Sequence, residues 1–251
     1  MKLSKIVVLG LLASSGLAIA QPVQLRVTVQ NLAPANDISF APLLVGFNNG
    51  TFDSFNVGET ATAPIISIAE GGSGVDWFPA FATADPSATL GSVGGALLPG
   101  ASASNTFTVD PSVNRFFTFG SMVIPSNDYF IGNDSPTRYM LFNALGQLNI
   151  SSISQFGRDI WDNGSETTDP LNAAFLVGGN NDLRTPENGV VEFDFAGLAA
   201  FNGLTTAAGY VLNSNLTANT EVYRITFEVI PAPSALGLVG IAGLVATRRR
   251  R

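Results

Sequence analysis

The 251-residue chain contains no cysteine and no histidine, and its only lysines are Lys2 and Lys5. These absences exclude disulfides, Ser-His-Asp and Cys-His catalytic triads, zinc sites of the usual nitrogen and sulfur kind, and haem ligation. After residue 5 they also exclude a lysine Schiff base. A pair of carboxylates is the one common catalytic scheme left, as in glycoside hydrolases. Asp159 and Asp162 form one such pair, but nothing distinguishes them from other loop acids. We therefore expect a protein that is not an enzyme, with a glycoside hydrolase as the less favoured alternative.

Basic residues are scarce in the central part of the chain. Between residues 21 and 230, six arginines stand against all 19 acidic residues. Nucleic acids and anionic lipid headgroups bind through neutralisation by Lys and Arg, so we expect no nucleic-acid partner. An acidic surface attracts divalent cations, and it also keeps an exported protein soluble. The charge by itself leaves both explanations open.

The first twenty residues have the features of a secretory signal peptide. Lys2 and Lys5 precede the apolar residues 6–12, and Ala18-Ile19-Ala20 forms a small-residue cleavage site. This pattern predicts a signal peptide over residues 1–20 that is cut after Ala20. We therefore expect the mature protein to be exported.

The last 21 residues have a different composition. Pro231-Ala232-Pro233 is followed by the uncharged residues 235–247 and then by Arg248, Arg249, Arg250 and Arg251. An apolar run that ends in a basic cluster predicts a membrane helix with its arginines on the cytoplasmic side. The layout resembles the PEP-CTERM sorting signal, with Pro231-Ala232-Pro233 in place of Pro-Glu-Pro. The resemblance implies processing by an exosortase-type enzyme, with residues 231–251 anchored in the inner membrane transiently or permanently.

Residues 21–230 show the patterns of a mostly β domain. Val23, Leu25, Val27 and Val29 alternate with polar residues, and residues 223–229 repeat this pattern near the end of the span. Alternation with a period of two predicts half-buried strands of an antiparallel sheet. Further predicted strands cover residues 43–47, 106–109, 116–124 and 190–195, and short helices are predicted at residues 63–70 and 75–84. Many short strands with few helices predict an antiparallel β-sandwich.

Two polar segments interrupt this strand-like sequence, at residues 125–132 and 160–166. Together they contain Asp128, Asp162 and Glu166, each near aromatic residues and a glycine. Three oxygen ligands brought together at one rim of a sheet would suit calcium. Because Asp, Asn and Gly are also common turn residues, spacing alone leaves ordinary turns as an alternative.

Residues 122–132 and 161–166 resemble the two signature segments of the spondin N-terminal domain family. Asn127, Tyr129, Asn163, Ser165 and Glu166 replace that family's Pro, Trp, Ala, Thr and Asp. The resemblance implies an antiparallel β-sandwich related to C2 domains, with a structural calcium ion. By position, its ligands would be Asp128, Asp162 and Glu166.

The combined pattern predicts a calcium-stabilised, non-catalytic adhesion or matrix module at the cell surface. Its partners would be a surface polysaccharide or another matrix protein. A carbohydrate-binding module is the alternative, since Tyr129 and Trp161 are expected to be exposed aromatic residues at the rim.

Overall fold

The computed structural model describes residues 21–231, which are mostly β-strands. The strands are β1 (Val23–Asn31), β2 (Ser39–Phe40), β3 (Leu43–Asn48), β4 (Thr89–Val93), β5 (Ser102–Val109), β6 (Phe116–Ile124), β7 (Tyr129–Gly132), β8 (Ser152–Phe156), β9 (Ile160–Asp162), β10 (Glu192–Phe193) and β11 (Glu221–Ile230). The α-helices are α1 (Ala63–Gly71) and α2 (Trp77–Ala84), and short 3-10 helices cover Gly157–Asp159, Asn181–Leu183 and Gly197–Phe201. The predicted signal peptide with Ala20, and the sorting segment after Pro231, lie outside the described residues.

The strands form two antiparallel sheets that pack together, so the prediction of a sandwich-like, mostly β fold is confirmed. The smaller sheet has four strands in the order β5-β1-β11-β8. The larger sheet has the order β10-β9-β7-β6-β3-β4, with β2 paired to β6. Aromatic and aliphatic side chains from both sheets fill one core, in which Phe117 of the larger sheet packs edge-on against Phe227 of the smaller one.

The two ends of the described chain are neighbours in the smaller sheet. Strand β1 pairs with β11 along its length, and Val27 lies opposite Phe227. Leu25, Val27 and Val29 are buried while the residues between them face outward, as their alternation predicts. These two central strands of the smaller sheet therefore connect the beginning of the domain to its end.

The two predicted helices form a third layer on the larger sheet. Trp77 and Phe81 of α2 are fully buried, and the Trp77 indole N–H donates to Ser54 Oγ at 2.8 Å. A Cβ atom at Gly46 of β3 would lie 2.4 Å from the Phe81 ring, so only glycine allows α2 to approach this closely. Strands β3 and β7 are buried along their whole length, because side chains pack on both faces of the larger sheet.

Residues 163–220 contain little regular structure. The predicted strand at residues 190–195 is shortened to β10, which has two residues and lies at the edge of the larger sheet. Within residues 21–231, no helix is both long and apolar enough to cross a membrane. The predicted membrane helix lies in the part of the chain that is not described.

Candidate functional site at the rim of the larger sheet

The two polar segments of the sequence lie side by side in the larger sheet. Strand β7 pairs with β9 in antiparallel register, so that Tyr129 lies opposite Asp162 and Phe130 opposite Trp161. Asp128 directly precedes β7, and Asp162 is the last residue of β9. The ladder therefore places both carboxylates at the same rim.

Asp128 connects this rim to the loop that follows β9. Its side chain is almost completely buried, and Oδ2 accepts hydrogen bonds from the backbone N–H groups of Ser165 at 2.8 Å and Glu166 at 2.9 Å. The Ser165 hydroxyl donates to the same oxygen at 3.2 Å. The Asp128 backbone oxygen accepts from Asn163 N–H at 3.3 Å. One residue thus fixes the course of the loop by both its side chain and its backbone.

Asp162 shapes the first turn of that loop. Its Oδ1 accepts from the Gly164 N–H at 2.7 Å, which is a local turn of the kind that Asp side chains often make. Gly164 has a φ of +65°, and a Cβ atom there would lie 2.7 Å from the Val190 backbone nitrogen. Glycine is therefore required at this turn both by conformation and by the close neighbouring chain.

Glu166 contributes its backbone to the Asp128 cluster, but its carboxylate binds elsewhere. Arg184 Nε contacts Glu166 Oε1, and Arg184 Nη2 contacts Glu70 Oε2 of α1 at 3.0 Å. Glu166 Oε2 is shielded from solvent and has no hydrogen-bond partner among residues 21–231. The Arg184 guanidinium therefore forms salt bridges with two carboxylates and connects the loop to α1.

Burial raises the pKa of all three predicted ligands. It raises the pKa of Asp128 to about 7, and the neighbouring Asp162 charge adds to this, against the hydrogen bonds from Ser165 and Glu166. Burial also raises the pKa of Asp162, with a further contribution from Asp194. For Glu166, burial and the Glu70 charge raise the pKa more than Arg184 lowers it. The cation and the N–H donors of the rim therefore do not offset all of its negative charge.

The expectation of two exposed rim aromatics is wrong for Tyr129. Its ring lies in the core between the sheets with 1% of its surface exposed, and its hydroxyl donates to Asp194 Oδ2 at 2.8 Å. Trp161 is half-buried, and its ring stacks on Phe193 with the centroids 4.2 Å apart. Tyr129 turns inward because it belongs to a strand that is covered on both faces.

The rim holds two of the three carboxylates that the family resemblance assigns to calcium, those of Asp128 and Asp162. Among residues 21–231, no three Asp or Glu side chains are grouped closely enough to hold a metal ion by themselves. Asp128 and Asp162 are close enough for the charge of Asp162 to raise the pKa of Asp128. Asn163 Oδ1 is buried without a hydrogen-bond partner in the described chain, which leaves a neutral oxygen next to Asp162. The calcium site therefore stays a prediction, with Asp128 and Asp162 as candidate ligands, whereas the Glu166 carboxylate pairs with Arg184.

The other carboxylate pair considered from the sequence has structural partners. Asp159 Oδ2 accepts from the Phe156 N–H at 2.9 Å, and Asp162 Oδ1 accepts from Gly164. Both carboxylates therefore close turns of the backbone.

Comparison with known proteins gives no independent identification. No protein-family model matches the chain, and no curated protein matches its sequence. The resemblance to spondin N-terminal domains stays a prediction.

Three further residues of the site, Glu70, Arg184 and Asp194, were not identified from the sequence. They lie on α1 and in the irregular region after residue 163, distant in the chain from the two polar segments. No local spacing connects them to Asp128 or Asp162, so only the folded chain reveals them.

Proposed function

We propose that this protein is a non-catalytic adhesion or matrix module of the cell surface, built on a spondin-like, C2-related β-sandwich. In this proposal a structural calcium ion binds at the rim formed by Asp128 and Asp162. The signal peptide exports the chain, and an exosortase-type enzyme processes the C-terminal segment. The exposed domain then contacts a surface polysaccharide or another matrix protein.

The observation that carries the proposal is the position of Asp128. Its carboxylate is buried beside that of Asp162, and it fixes the backbone of Ser165 and Glu166. The two segments that carry the spondin resemblance thus form one connected rim. The charge of Asp162 adds to the raised pKa of Asp128, so a bound cation that offsets this repulsion would stabilise the rim.

A bound calcium ion would neutralise the two carboxylates and so stabilise the ionised form of each. Asp128 would supply its Oδ1 atom, because Oδ2 already accepts three hydrogen bonds. Asp162 and the unpartnered Asn163 Oδ1 would add oxygens from the following loop. Glu166 joins only if its carboxylate leaves Arg184.

A carbohydrate-binding module is the second candidate. The stacked Trp161 and Phe193 rings favour it, because Phe193 is 52% exposed and leaves part of the stack accessible to a ligand. This candidate shares the export route and the fold with the first, and it differs only in what the exposed surface binds.

Calorimetric titration tests the calcium site directly. Calcium added to the chelator-treated protein should bind saturably, and Asp128→Asn and Asp162→Asn should each weaken binding at least tenfold. Glu228→Gln is the matched control, since it removes an exposed carboxylate from the smaller sheet and should leave binding unchanged. Wild-type protein that binds no calcium, or binding that survives both rim substitutions, would overturn the calcium assignment.

A further variant tests the third ligand. Arg184→Gln removes the cation that holds Glu166, so it should raise calcium affinity several-fold if Glu166 completes the site. The double variant Arg184→Gln/Glu166→Gln should return the affinity to the wild-type value. Equal affinity in wild type and Arg184→Gln would exclude Glu166 from the ligand set.

A further inference from the structure

A cavity of about 300 Å³ lies at the end of the β7–β9 pair opposite to Asp128 and Asp162, where Gly132 ends β7 and Asp159 precedes β9. Its lining includes residues from β7, β8, β9 and β10 and from the segment that follows β7. The members used below are Arg138, Gln155, Arg158, Trp161 and Phe193, with Asp134 and Asp159 also in the lining. The volume is that of a site for a small organic molecule or one unit of a polymer.

One wall of this cavity is aromatic. Trp161 and Phe193 lie opposite each other on paired strands, and their rings stack with an angle of 18° between the planes. Phe55 packs edge-on against Trp161 from the helix side and holds the indole in place. The rings thus form a fixed apolar surface beside polar groups, which is the composition of a site for a ligand with both apolar and polar faces.

Two polar atoms of the lining residues lack partners. Gln155 is 2% exposed, and its Oε1 is shielded without a hydrogen-bond donor anywhere in the described chain. The Trp161 indole N–H is also shielded, and residues 21–231 provide no acceptor for it. Buried polar groups nearly always have partners, so an unpaired acceptor and an unpaired donor on residues that line one cavity favour a ligand that both donates and accepts.

The cavity also holds two arginines without salt bridges. Among the six arginines of the described chain, Arg26, Arg184 and Arg224 pair with carboxylates. Arg115, Arg138 and Arg158 do not, and the last two line this cavity. Arg158 is fixed by Asn219 Oδ1 at 2.6 Å and by the Phe156 ring, and Arg138 Nε donates to the Tyr139 hydroxyl at 3.2 Å. In so acidic a chain, two unpaired guanidinium groups at one cavity leave N–H donors for a ligand.

The charges at the cavity balance. The lining contains two carboxylates, Asp134 and Asp159, and two guanidinium groups, Arg138 and Arg158. The hydrogen bond with Tyr139 raises the pKa of Arg138, and the charges of Asp159 and Asp134 add to this. An anionic ligand would meet the carboxylates, and a cationic ligand would meet the guanidinium groups. A neutral ligand with several hydroxyl groups avoids both repulsions, because each hydroxyl donates and accepts.

We propose that this cavity binds one pyranose unit of a neutral polysaccharide. The apolar C–H face of the sugar packs on the outer face of the Phe193 ring, whose other face stacks on Trp161. Its hydroxyls accept from Arg138 and the Trp161 indole N–H, and donate to Gln155 Oε1. The inference rests on the proposed function for the presence of polysaccharide around an exported domain, and it requires no calcium at Asp128.

Tryptophan fluorescence provides the test, because the chain has two tryptophans and Trp77 is fully buried. The probes are cellohexaose, maltohexaose and xylohexaose, with an oligogalacturonate as the acidic probe. At least one neutral probe should change the emission saturably. Phe193→Ala and Arg138→Gln should each weaken that binding at least tenfold without lowering the melting temperature to an extent that explains the loss.

Two matched controls accompany these variants. Leu171→Ala removes an exposed apolar side chain outside the cavity, and Arg26→Gln removes an arginine from the smaller sheet. Both should bind the neutral probe like the wild type. Failure of all neutral probes, binding of the acidic probe alone, or binding that survives both cavity substitutions would overturn the proposal.

The same titrations repeated with Asp128→Asn and with chelator separate the two proposals. Sugar binding by a protein that binds no calcium would support the sugar site in the cavity and refute only the calcium site. Calcium binding by a protein that binds no sugar would support the calcium site and refute only the sugar site.

Discussion

The carboxylate of Asp128 accepts the backbone N–H of Ser165 across 37 residues of sequence, at 2.8 Å. With the neighbouring bond from Glu166, this contact connects the start of β7 to the loop after β9. The loop has little regular structure of its own, so it depends on such side-chain acceptors for its conformation. Asp128 is therefore a structural residue whether or not a cation binds beside it.

Asp128→Ala should destabilise the fold strongly. Removing the acceptor leaves the Ser165 and Glu166 N–H groups without a partner, at a cost of about 1 to 3 kcal/mol for each buried group. Asp128→Asn should cost much less, because the amide oxygen still accepts the same bonds. Urea unfolding in the presence of chelator measures both free energies. Equal losses in the two variants would show that the charge of Asp128, and not its acceptor role, stabilises the loop.

The stability of the calcium-free protein should fall as the pH rises from about 4 to about 7. Burial raises the folded-state pKa of Asp128 from 3.8 to about 7, so the folded protein binds a proton that the unfolded chain releases at lower pH. The contribution is complete below the unfolded pKa and is lost as the pH passes the folded pKa. The slope reaches about 1.4 kcal/mol per pH unit for one proton.

Asp162 and Glu166 have pKa shifts in the same direction and should add to this slope. Chemical unfolding at a series of pH values with chelator measures it. Asp128→Asn should reduce the slope, and calcium should flatten it if the ion binds the ionised rim. A stability that is constant or rises over this range in chelator would contradict the buried, repelling arrangement of the carboxylates.

Arg184→Gln should destabilise the protein by about 2 kcal/mol, less than the 3–5 kcal/mol of a fully buried pair, because the guanidinium is 34% exposed. Its loss leaves Glu166 and Glu70 facing each other without a cation. Adding Glu166→Gln should restore part of the stability, since the repulsion is then removed. Arg26→Gln, which breaks an exposed pair, should change stability by about 0 to 1 kcal/mol. Additive effects of Arg184→Gln and Glu166→Gln would argue against the shared contact.

Tyr223 and Tyr210 differ in the hydrogen bonds of their hydroxyl groups. The Tyr223 hydroxyl is buried without a partner among residues 21–231, so Tyr223→Phe should leave stability unchanged or raise it by about 1 kcal/mol. The Tyr210 hydroxyl bonds to Ser39 Oγ at 2.8 Å and donates to the Asp37 carbonyl oxygen at 2.9 Å. Tyr210→Phe should therefore destabilise by about 1 kcal/mol or more. The melting temperatures of both variants test this prediction. A Tyr223→Phe variant that is less stable than the wild type would show that the hydroxyl has a hydrogen-bond partner.

Much of the fold could be predicted from local patterns. The alternation in β1 and β11 identifies half-buried strands, because a period of two matches one buried face. The two helices were also predicted to within a few residues. The prediction at residues 190–195 gave too long a strand, because only two residues there find a partner in β9.

The site was predictable only in part. The sequence identifies Asp128 and Asp162 as acids next to strand-like segments, but their common rim follows from the pairing of β7 with β9. The exposure of Tyr129 was predicted wrongly, since local sequence does not tell that its strand is covered on both faces. Arg184 and Glu70 come from other parts of the chain, and their contacts with Glu166 depend on how the loop folds against α1.

The sequence by itself determined the chemistry that is available to the protein. The lack of His, Cys and nearly all Lys leaves only oxygen ligands, arginines and aromatic rings with which to bind a partner. The tertiary structure decided which of these groups meet. It paired Glu166 with Arg184, and it placed Trp161, Gln155 and two arginines without salt bridges around one cavity. These contacts join residues far apart in sequence, and their energies depend on burial, which no local pattern specifies.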